Sequence, residues 1–101
     1  MSDITTREVE GELRGTILRM LDESYGRVEV VTFKSIARVA DRKETDAVLL
    51  AAIRYVVDAG YASERPRKKL YVDQETIIDY CLTPNGKKLV DRITDDSMVI
   101  F

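Results

Sequence analysis

The chain has 101 residues, 45% of them apolar, and a formal net charge of −2, enough for one compact domain. It holds no histidine and a single cysteine, Cys81, which excludes zinc sites built on those ligands, catalytic pairs that need a histidine base, and an internal disulfide. No run approaches the roughly 18 apolar residues of a membrane span, and the first residues lack the basic start and apolar stretch of a secretory signal.

The expectation is therefore one cytoplasmic domain over residues 1–101, with a core at about 12–94 and an apolar tail at 95–101. Thr5 and Glu8 stand at capping-box spacing. After them Val9, Leu13, Ile17, Met20 and Leu21 recur at three- and four-residue steps, predicting a helix that ends near Tyr25-Gly26. Gly11 and Gly15 interrupt it opposite the apolar stripe. Either the first turns fray, which the sequence favours, or another segment packs closely there. The β-branched residues 28–31 predict a short strand. Thr32 then caps a second helix with Phe33, Ile36, Ala37 and Ala40 inward.

Thr45 caps a third helix, predicted to run to Ala59 with Gly60 as its left-handed stop. Leu49, Ala52, Ile53 and Val56 form its core side, flanked by Val48 and Val57. The period then changes to that of strands. Residues 61–64 and 70–72 flank a basic turn that contains Pro66, and a turn at Asp73-Gln74-Glu75 leads to a third strand over residues 77–82. In that strand Ile78, Tyr80 and Leu82 share one side and Cys81 faces the other, as a structural thiol. Thr83 caps and Pro84 opens a closing helix with Leu89, Val90 and Ile93 inward.

Charge is organised along this plan. Residues 1–24 and 70–101 each carry three basic and six acidic groups, whereas Arg65, Arg67, Lys68 and Lys69 crowd into five positions. Cations on a hairpin tip suit phosphate neutralisation. No glycine-rich phosphate loop is present, so no cofactor is expected. The paired acids Asp22-Glu23 and Asp95-Asp96 lie beside turns or helix ends, and the expectation is a protein without catalytic activity.

Two stretches carry a family resemblance. One runs from Ala52 to Val57-Asp58-Ala59-Gly60-Tyr61; the other is Leu82-Thr83-Pro84-Asn85-Gly86-Lys87-Lys88-Leu89-Val90. With a basic hairpin between them, they resemble the winged helix-turn-helix family, in particular its small prokaryotic and phage regulators, over residues 12–94. The resemblance implies an α+β fold: a three-helix core, a small antiparallel sheet with a wing, and a C-terminal helix. It also implies double-stranded DNA as partner, with the third helix in the major groove and the wing along a phosphate backbone. On that basis Arg65, Arg67, Lys68 and Lys69 match the wing. Lys34, Arg38, Arg42, Lys43, Thr45 and Arg54 line the approach to the groove. Dimerisation through the first and last helices is implied as well, giving a homodimeric transcription regulator.

The third helix departs from a base-reading pattern. Its outward positions are Ala47, Leu50, Ala51, Arg54 and Asp58, of which Arg54 alone offers a donor suited to base edges. Ala47, Leu50 and Ala51 instead suggest contact with another protein. The tail Met98-Val99-Ile100-Phe101 either folds back on the domain, crosses to a second chain, or stays disordered.

Overall fold

The computed structural model describes residues 3–26, 31–39, 46–67 and 77–101. In chain order these form α1 (Asp3–Glu23), β1 (Val31–Thr32), α2 (Phe33–Val39), α3 (Asp46–Asp58), β2 (Ala62–Pro66), β3 (Ile78–Leu82) and α4 (Pro84–Val90). The architecture is α+β, with four helices and a three-stranded antiparallel sheet in the order β1-β3-β2 among the described residues. No described helix is long and apolar enough to cross a membrane.

α1 begins at Asp3, so Thr5 lies inside the helix and not at its cap. Among the described side chains, its buried apolar face runs through Leu13, Ile17, Leu18 and Leu21. Val9, one turn before Leu13, is 41% exposed and lies outside the core, whereas the fully buried Leu18 completes the stripe. Neither Gly11 nor Gly15 marks a frayed turn. Both are buried in continuous helix, and both lie against the C-terminal tail: a Cβ on Gly11 would stand 3.0 Å from the Ile100 side chain, and one on Gly15 would overlap the Ile100 carbonyl oxygen.

Thr32 caps α2 as expected, its Oγ1 accepting from the Ser35 N–H at 3.3 Å. α3 buries Leu49, Ala52, Ile53 and Val56, and Gly60 adopts φ 83°, the left-handed stop that frees the chain to reverse. The Tyr61 N–H then donates to the Val56 carbonyl at 2.9 Å, and β2 returns beside the end of α3.

The hairpin differs from the sequence expectation in where its first strand ends. β2 pairs with β3, Ala62 opposite Leu82 and Pro66 opposite Ile78, and the segment at residues 70–72 lies outside the described residues. Arg65 and Pro66 belong to β2 itself, not to a turn, and the Arg67 N–H extends the ladder by donating to the Ile77 carbonyl at 2.7 Å. Proline is accommodated because it sits at the strand's end, where no ladder donor is required of it. On β3, Tyr80 and Leu82 are buried and Ile78 is half-buried, while Cys81 is exposed on the opposite face. The expectations for residues 28–30, for Ala40 and for the turn at Asp73-Gln74-Glu75 also fall outside the described residues.

Thr83 caps α4 through its side chain, which accepts from the Gly86 N–H at 3.1 Å. α4 stops at Val90 because Arg92 turns left-handed with φ 61°. Ile93 therefore leaves the helical phase and is 71% exposed, in place of the inward position expected for it. The tail then folds back in the same chain, and Val99 joins the core at 7% exposure.

Candidate nucleic-acid interface

The cations expected to meet phosphate are distributed over α2, α3 and β2. Lys34 and Arg38 stand four residues apart on α2, one helical turn, and both are exposed. Neither makes an ion pair with a described residue. Arg42, Lys43 and Thr45, between α2 and α3, and Lys68 and Lys69, beyond β2, lie outside the described residues.

Arg54 is not a free donor. Because the chain reverses at Gly60, β2 passes alongside the last turns of α3 and brings Glu64 under the Arg54 guanidinium. Nη2 donates to Glu64 Oε2 at 2.8 Å and Nη1 donates to Oε1 at 3.1 Å. Asp58, one turn along the helix, adds a 3.5 Å contact. The hydrogen bonds and charge of Glu64 hold the Arg54 pKa above its ordinary value. The fork geometry is that of a specific carboxylate pair, and it occupies the one outward donor of α3 suited to base edges.

Arg67 is similarly engaged. Its Nε lies 2.9 and 3.0 Å from the two Asp79 carboxylate oxygens on β3. Antiparallel register explains the meeting: Arg65 is directly opposite Asp79, and Arg67, two residues on and on the same face, reaches it diagonally. Arg65 itself is exposed and has no ion pair with a described residue. So of the five cations expected at the interface that the structure describes, Lys34, Arg38 and Arg65 have no ion pair with a described residue, and Arg54 and Arg67 are neutralised in place.

The acidic halves of these pairs, Glu64 and Asp79, were not legible as partners from segment charge. Strand register was the signal that would have found them, since it fixes which side chains share a face.

A second face lies beside the first. Ala47 and Ala51 are exposed and Leu50 is 51% exposed, as the helical phase of α3 predicts. Next to them, Leu13 and Arg14 of α1 and Ala47, Val48 and Ala51 of α3 line a groove of about 210 Å³.

Sequence reasoning missed a third cluster entirely. The Asp96 carboxylate accepts from the Tyr55 hydroxyl at 2.9 Å and the Tyr61 hydroxyl at 2.7 Å through Oδ2, and from the Met98 N–H at 2.8 Å through Oδ1. Arg14 stacks over the Tyr55 ring, 4.1 Å from its centroid. Burial raises the Asp96 pKa, but the three donors and the Arg14 charge together outweigh it and leave the carboxyl below its ordinary value. Burial first, and then Asp96, push Tyr61 up to about 12. The members lie in distant parts of the sequence, so no local motif announces them. Among the described residues, no group of three or more potential ligands could hold a metal ion.

Comparison of the chain with protein-family models, with curated proteins and with solved structures found no match.

Proposed function

We propose that this domain is a winged-helix module that binds double-stranded DNA chiefly through its phosphate backbone, as a small regulator of transcription. The observation that carries the reading is the placement of exposed cations around a helix pair and an adjoining hairpin. Lys34 and Arg38 line α2, and Arg65 lies on β2 just before Lys68 and Lys69 in sequence. The remainder of the chain is predominantly acidic, so these positions define where an anion would dock. The succession α2, α3, β2 and β3 is compatible with a helix-turn-helix followed by a wing.

The reading carries a restriction on specificity. Phosphate contacts fix register without reading sequence, and the α3 face offers Ala47, Leu50 and Ala51 in place of base-edge donors, with Arg54 held by Glu64. Affinity should therefore fall steeply with salt and discriminate weakly between duplexes. The test is a titration of mixed-sequence duplex DNA across salt concentrations. Replacing Arg65, Lys68 and Lys69 by alanine is expected to flatten the log–log salt slope by about 0.9 per lost phosphate contact. Absence of binding at low salt, or binding indifferent to salt, overturns the proposal.

One observation favours a second reading, a protein-interaction module on the same scaffold: Leu50 is half exposed between two exposed alanines, beside the α1–α3 groove. Leu50→Ser, which adds no charge to the α3 face, separates the two. It should weaken self-association or partner capture under the second reading and leave salt-dependent DNA binding in place under the first.

A further inference from the structure

The tail after α4 is held by more than apolar contact. Its first anchor is Asp96, which joins Tyr55 on the last turns of α3 to Tyr61 at the entry to β2. Its middle is held by Arg14 of α1, whose Nη1 donates to the Met98 carbonyl at 2.9 Å. Its far end is held by the Ile100 N–H, which donates to the Gly11 carbonyl at 3.0 Å. The close approach at that end exists only because positions 11 and 15 are glycine. Between the anchors, Val99 is buried while Met98 and Ile100 remain 42% and 38% exposed.

This segment thus spans the glycine face of α1 and the corner where α3 gives way to β2, alongside the Arg14 guanidinium that stacks on the Tyr55 ring. That corner is pinned from its other side by α4: the Thr83 N–H donates to the Tyr61 carbonyl at 3.0 Å, and Gly86 packs so closely on the same carbonyl that a Cβ would overlap it. Tyr61 is therefore held by its carbonyl from the start of α4 and by its hydroxyl from the tail.

We propose that residues 96–101 act as a strap that opens and closes as one unit and, when closed, fixes the angle at which β2 leaves α3. Asp96 is its positioning residue at the corner, and Gly11 and Gly15 form the seat at its other end. Few buried apolar contacts and several single hydrogen bonds place such a segment at the low-stability end of the molecule, where opening is local. The strap stands on these contacts alone and does not depend on what the cations of α2 and β2 bind.

The test uses the full chain with two variants that attack opposite ends. Gly15→Ala wedges the seat and touches neither tyrosine. It is expected to lower hydrogen-exchange protection of the Ile100 amide at least tenfold and, because the strap moves as a unit, to bring the Tyr61 titration from about 12 back toward 10. Asp96→Ala releases the corner. It should expose the same Ile100 amide and speed exchange at the Tyr61 and Thr83 amides, with mid-helix amides of Ile17 and Ile53 unchanged. Unaltered Tyr61 titration in Gly15→Ala, unaltered Ile100 protection in Asp96→Ala, or an equal loss of protection at every core amide would each overturn the strap.

Discussion

Arg92 occupies a backbone position that favours glycine. It follows Asp91, the cap residue after α4, with φ 61°, and the two hydrogen bonds of a helix stop surround it: its own N–H donates to the Leu89 carbonyl at 3.0 Å and the Ile93 N–H to the Lys88 carbonyl at 2.8 Å. A side chain in the left-handed region costs about 1 kcal/mol or more, partly offset in a glycine by its greater freedom when unfolded. Arg92 makes no ion pair with a described residue that its loss would break. Arg92→Gly is therefore expected to stabilise the domain by about 0.5–1 kcal/mol, read as a higher urea midpoint with an unchanged slope. At the other end of the same helix the sign reverses. Thr83→Ala removes the acceptor for the Gly86 N–H and should cost about 1 kcal/mol in the same measurement.

At the scale of elements, the body of α3 was legible from its apolar spacing, its exposed alanines and its glycine stop, although it ends at Asp58 and not Ala59, and its expected cap Thr45 lies outside the described residues. α1 was legible in kind and in phase, since Leu13, Ile17 and Leu21 are buried and Met20 packs against them, but not in the extent of its core face. The apolar spacing puts Val9 in the stripe and passes over Leu18, and only the packing partners reverse that choice. Leu18 is fully buried, and Val9 projects beyond the level where the core begins. Leu18→Ala should then cost about 2–5 kcal/mol, against about 0.5 kcal/mol or less for Val9→Ala, in paired denaturation curves. The two glycines of α1 were misread because their justification lies eighty-odd residues away in the tail, and helix propensity carries no information about such a contact. The far end of the first hairpin strand was missed for a related reason. Arg65 and Pro66 read as turn residues from charge and ring, yet they extend β2 because tertiary register sets them opposite Asp79 and Ile78, while Ala62 and Leu82 enter the core together. The candidate interface was legible as a set of basic positions. Which of them are spent on carboxylates was not.

For the molecule as a whole, charge placement governs how it responds to pH and to an anionic partner. Tyr61, Tyr55 and Tyr80 have folded pKa values raised above 10, in each case first by burial. A raised pKa contributes stability that is complete below the unfolded value and is lost as pH climbs through the folded one. Stability should thus decline from about pH 10 toward 12, followed by tyrosinate absorbance alongside circular dichroism. Asp96 acts in the opposite direction. Its depressed pKa contributes stability above the ordinary carboxyl range, lost as pH falls through the folded value. The same accounting of charge bears on the interface. Glu64 neutralises Arg54 on the outward side of α3, and the pair is exposed enough, at 52% and 30% for the two side chains, to contribute little to folding. Its larger consequence is for binding. Glu64→Gln keeps the shape and leaves Arg54 with only the longer Asp58 contact on the outward side of α3. Stability should change by less than about 1 kcal/mol, while the salt slope for duplex DNA steepens by up to about 0.9, the amount expected of one added phosphate contact. An unchanged slope with DNA binding otherwise intact would place Arg54 away from the phosphates and confine the contact to α2 and β2.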